Sequence, residues 1–72
     1  MNSKFLKSVK QQIELKEADI ERFNEEIEAA KALKKIAENQ DMEAHYQKRV
    51  ERFDSQKKQA KDRIKTLEKS IK

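Results

Sequence analysis

The sequence predicts an all-α protein, a two-helix antiparallel coiled-coil hairpin. Three observations carry that prediction. The 72 residues include no Gly and no Pro, so the left-handed turns and chain breaks of β folds have nothing to build them. Apolar residues recur at three-then-four spacing along two stretches, which lines one stripe of an α-helix. The third is a constant total of residue numbers across facing apolar positions: Val9 with Ile71, Ile13 with Leu67, Ile20 with Ala60, Ile27 with Phe53, Ala30 with Val50. Two helices running in opposite directions about one turn produce that regularity.

The first arm is expected over about residues 3–37. Its a and d heptad positions are Leu6, Val9, Ile13, Lys16, Ile20, Phe23, Ile27 and Ala30. Ser3 is placed to cap its start by accepting from a free backbone N–H of the first turn. Lys34 and Lys35 sit where cations favour a helix C-terminus. The turn is expected at about residues 38–42, within Glu38-Asn39-Gln40-Asp41-Met42. The second arm, about residues 42–71, resumes with Tyr46, Val50, Phe53, Lys57, Ala60, Ile64, Leu67 and Ile71. Asp41 is read as its cap, with Glu43 favourable in the first turn.

The two stripes are out of phase. From the a position Ile27 to the a position Val50 is three heptads plus two residues, an offset that one continuous supercoil absorbs only through several discontinuities. A short turn absorbs it at once. The alternative is a single long helix in a parallel coiled-coil dimer, and the flanking charges do not exclude it. In the hairpin those charges pair by sign: Asp19 with Arg63, Glu17 with Lys61, Lys10 with Glu68, Glu26 with Arg49. Two seam positions carry an ammonium, Lys16 opposite Ile64 and Lys57 opposite Phe23. Their stems can lie along apolar surface while the heads reach water.

Charged residues make up 44% of the chain and there is no Cys. Disulfide staples, thiolate chemistry and thiolate zinc sites are thereby excluded. Sustained heptad phase argues against disorder, despite the charge. No apolar run approaches the ~20 residues that span a bilayer, and residues 1–20 hold no signal-peptide core. The expected setting is the cytoplasm, with no membrane partner. One core in so short a chain rarely supplies more than ~3–5 kcal/mol. Pairing of two hairpins into a four-helix bundle, a homodimer, is the expected remedy.

Catalysis has little to work with. His45, the only histidine, lies beside Tyr46 near the turn at an outward position. A general base needs a pocket and a partner held in geometry, which a two-helix surface does not offer. Glu14, Glu17 and Glu21 lie at helical spacing but lack a converging second set of acids, so they read as a solvated face rather than a metal site. Phosphate loops and nucleophile elbows need Gly. The chain is therefore read as a non-enzyme with no cofactor and no metal.

Two surfaces remain. Residues 57–72 hold seven Lys or Arg against two acids, and residues 14–28 hold seven acids against two bases. The hairpin lays these segments side by side and neutralises much of both. What survives is a basic patch at the open end, made of Lys4, Lys7, Lys10, Lys65, Lys69 and Lys72. At the turn end, apolar residues spill beyond the seam at Ala29, Leu33, Ile36 and Met42, next to Tyr46. An apolar flank of this kind is a contact surface, and Met suits adaptable contacts.

The expected function is a small protein-binding module. It would be an accessory, adaptor or inhibitor of bacterial or phage origin, acting on itself and on another protein through the turn-end surface. The alternative is a sequence-independent nucleic-acid binder using the basic end, where scarce Arg and a single aromatic, Phe5, leave no means of reading bases. Other small hairpins pair into four-helix bundles, but shape transfers no function.

Overall fold

The computed structural model describes residues 3–71. Two helices, α1 (Ser3–Lys35) and α2 (Gln40–Lys69), fold back on each other and pack along their length. The molecule extends 56 × 14 × 11 Å. A continuous helix of this chain would run on the order of 100 Å at 1.5 Å per residue. The hairpin therefore replaces the long-helix alternative.

The connection is shorter and earlier than the sequence suggests. Helix α1 stops at Lys35, where Ile36 N donates to Leu33 O and Ala37 N to Lys34 O, both at 3.2 Å. These tightened bonds satisfy two of the carbonyls a helix end leaves free. Asn39, not Asp41, caps α2: its backbone is extended (φ −150°, ψ 169°) and its Oδ1 accepts from Met42 N at 2.9 Å. Asn is among the strongest capping residues because its short side chain reaches that N–H. Asp41 lies inside the first turn with Glu43, where carboxylates favour the positive end of the helix dipole. No described residue has positive φ, so the reversal is made without Gly. Ser3 already lies within α1, so it does not serve as the cap.

At the far end, Ser70 N donates to Thr66 O and Leu67 O at 3.2 Å, and its hydroxyl donates to Leu67 O at 2.7 Å. The last turn of α2 is closed by its own chain.

Every a and d residue of the two stripes is at least half-buried, and Val9, Ile27, Ala30, Ala60 and Leu67 are buried outright. The remainder stay half-open because a helix pair covers each seam residue from one side only. Phe23 meets Phe53 with ring centroids 6.2 Å apart, one turn earlier than the expected facing of Phe23 by Lys57. Lys16 and Lys57 are half-buried, and Lys16 Nζ reaches Asp19 at 4.0 Å. Glu26 pairs with Arg49 across the helices at 3.9 Å, as their charges suggest. Asp19 instead bonds within α1, to Lys16 and to Arg22 at 3.6 Å, rather than to Arg63. Among the described residues neither Glu17 with Lys61 nor Lys10 with Glu68 closes to ion-pair distance. Such exposed pairs are worth only ~0–1 kcal/mol, so the apolar seam sets the pairing.

Candidate functional site

Leu33, Ile36 and Met42 are exposed, Ile36 to 74%, and Ala29 is exposed beside them. Tyr46 differs: it is half-buried in the seam, with the His45 ring edge-on to it at 5.3 Å. It therefore forms the floor of the patch rather than its surface. Next to it, Lys34 Nζ donates to Gln47 Oε1 at 2.7 Å, tying the end of α1 to α2. This fixes the two sides of the apolar shoulder relative to each other.

The open end gathers Lys4, Lys7, Lys10, Lys65 and Lys69, all exposed; Lys72 lies outside the described residues. Lys7 and Lys10 border an open groove with Ser3, Leu6, Gln11 and Glu14. Beneath the lysines Val9 and Leu67 are buried, so the charge stands on packed helix. His45 is exposed and shares a shallow hollow with Lys48, Arg49 and Arg52. Glu14, Glu17 and Glu21 line an open surface with Ala18. Among the described residues no group of three or more His, Cys, Asp or Glu is arranged to hold a metal ion. Among the described residues no helix is long and apolar enough to cross a membrane.

A larger asymmetry escapes the sequence reading. The seam divides the surface into two long flanks. One is built from g positions, just before each a residue, and c positions, two after it; Glu26–Arg49, a pair of g positions, marks where its two halves meet. All four arginines of the chain, Arg22, Arg49, Arg52 and Arg63, lie at g or c, and no lysine does. Among the described residues the five large apolar side chains left exposed are Phe5, Leu15, Leu33, Ile36 and Met42. Each of them also falls at g or c. The opposite flank, of b and e positions, carries Lys and Glu along its length and no large apolar side chain.

At the centre of the first flank stands a cluster. The Phe23 and Phe53 rings meet, with the Arg22 guanidinium 5.2 Å from the Phe23 centroid and that of Arg52 5.3 Å from the Phe53 centroid. Arg over an aromatic face gains from the ring quadrupole. The legible signal was the tripeptide Glu-Arg-Phe, which stands at residues 21–23 and again at 51–53. Two copies brought together by the hairpin make the cluster.

The fold and these surfaces define a two-helix antiparallel hairpin with an arginine-and-apolar flank. No family model matches the chain, and neither curated proteins nor solved structures give a match.

Proposed function

We propose that this chain is a small non-enzymatic protein-binding module of the cytoplasm, an accessory, adaptor or inhibitor that also pairs with a second copy of itself. The observation that supports this reading is the exposed shoulder of Ala29, Leu33, Ile36 and Met42 at the turn end. Fully burying an aliphatic side chain of this size yields ~1.5–3 kcal/mol. A chain whose own core holds five buried residues has reason to use it. Two shoulders packed together extend the seam into a four-helix arrangement at that end. Substituting Leu33→Glu with Ile36→Glu converts the assembly to a monomer in sedimentation velocity. An unchanged sedimentation coefficient refutes the shoulder as the self-association site.

A second reading draws on the five described lysines gathered at the open end. It is a sequence-independent phosphate contact with nucleic acid. Counterion release makes such binding fall steeply with salt, by roughly tenfold or more between 50 and 200 mM for a few phosphate contacts. Apolar docking does not behave so. Retention on duplex DNA that survives moderate salt, or persists after Lys65→Gln with Lys69→Gln, removes this reading.

A further inference from the structure

The arginine flank is not explained by the shoulder alone, which occupies only its turn end. From Glu26 and Arg49 it runs on past the Phe23–Phe53 pair toward Arg63 and Phe5 at the open end, with Leu15 exposed to 67% beside the row of arginines. Resting on the protein-binding reading above, we propose that this middle and open half is the seat of a third helix. That helix is supplied by a partner protein and is amphipathic, carrying carboxylates along its edge.

Composition decides which of the two flanks is covered. Interfaces are enriched in aromatics, Met and Arg, and depleted in Lys and Glu. Arg is the cation that tolerates desolvation, because its delocalised guanidinium is weakly hydrated and binds carboxylates through two parallel bonds. The b/e flank, with Lys10, Lys31 and Lys61 among Glu17, Asp54 and Glu68, is a solvent face by the same criteria. The half-open Phe23 and Phe53 rings give a third helix its apolar floor.

Charge decides the occupant. The flank carries four arginines against two acids, Asp19 and Glu26. Both acids are engaged already, Asp19 by Lys16 and Arg22, and Glu26 by Arg49. On the arginine side donors are left over. Arg49 Nε is buried without an acceptor, and among the described residues Arg63 has no ion-pair partner. Carboxylates on the incoming helix supply acceptors to exposed Arg63. A second copy would set arginine against arginine. A nucleic-acid backbone would meet Asp19, Glu26 and exposed leucine at the centre of its track. From Phe5 to Glu26 the seat is six turns of α1 long, about 30 Å, which suits a partner helix of about twenty residues. Arg52 and Arg63 lie three turns apart, so the matching carboxylates are spaced about 16 Å.

The test uses the full chain labelled with ¹⁵N at 150 mM salt and three probes. One is a 21-residue amphipathic peptide with leucines on one stripe and Glu beside them. The second is its twin with Lys in place of Glu, and the third is a 20-base-pair DNA duplex. Expected are amide shifts at Arg22, Phe23, Arg49, Arg52, Phe53 and Arg63 with the Glu peptide alone. Arg52→Glu with Arg63→Glu then weakens that peptide at least tenfold, while Lys58→Glu with Lys61→Glu changes it less than twofold. Arg52→Gln with Arg63→Gln, checked for helicity by circular dichroism, repeats the loss without charge reversal. The proposal is overturned if the Lys twin binds as tightly or the shifts fall on the Lys58 and Lys61 flank. It is equally overturned if the duplex takes the same arginines, if no probe perturbs them, or if they shift with protein concentration alone, which marks a second copy as the occupant. Dimer loss in the Leu33 and Ile36 variants is read separately by sedimentation, so either proposal can fail while the other stands.

Discussion

The two ends of the hairpin invert what their compositions suggest. The open end is the lysine-rich one, yet it buries Val9 to 3% exposure and Leu67 to 6%. The turn end is the apolar one, yet it leaves Leu33, Ile36 and Met42 in solvent. The difference lies in supply. At the open end each helix offers the other one apolar stripe, and long lysines at outward positions leave that stripe undisturbed. At the turn end the apolar residues exceed the stripe, and two helices have no third surface to cover the excess. Burial thus follows position in the heptad, and an apolar surplus becomes a surface.

The largest test of this comparison sets Leu67→Ala against Ile36→Ala. Removing buried Leu67 costs about 2–3 kcal/mol in urea unfolding. Removing exposed Ile36 stays within ~0.5 kcal/mol, measured at a protein concentration low enough to keep the chain monomeric. Equal losses would mean that the two ends are packed alike. Next comes Asn39→Ala, which leaves Met42 N without its acceptor and lowers stability by about 1 kcal/mol; Asp41→Ala should cost less, since Asp41 acts only through the helix dipole. The smallest effect is expected from the Glu26–Arg49 pair, whose side chains are 45% and 36% exposed. A double-mutant cycle with Gln at both sites should give a coupling of ~0.2–1 kcal/mol that shrinks as salt is added. A coupling that salt leaves untouched would show the pair to be more enclosed than its exposure implies.

Much of the hairpin is legible because a two-helix seam is a one-dimensional problem. Heptad spacing names the buried side of each arm, and the phase offset between Ile27 and Val50 demands a reversal. The ends were harder. Glu38 and Asn39 carry no apolar period, so periodicity alone could not tell the last helical residue from the first cap, and the reading settles on Asp41 although Asn39 caps as well. Ion pairs such as Asp19 with Arg63 were misplaced for a different reason. A carboxylate has several cations within a turn of it, and local partners such as Lys16 and Arg22 are nearer than any across the seam. The exposure of Ala29, Leu33, Ile36 and Met42 is legible because they are apolar residues off the stripe. The arginine flank was missed because lysine and arginine were counted together as charge. Their separation by heptad position, and the repeated Glu-Arg-Phe, become visible only when the two are treated as different chemistry.

The reversal itself has a consequence for how chains can share their arms. The chain leaves helix after Lys35 and re-enters it at Gln40, with the extended backbone of Asn39 as the last step of the break. Were the whole break to turn helical, the out-of-phase stripes of Ile27 and Val50 would face opposite sides of one rod, so two straightened chains side by side could not bury both against each other. The phase offset thereby guards the hairpin against exchange of arms through a continuous rod.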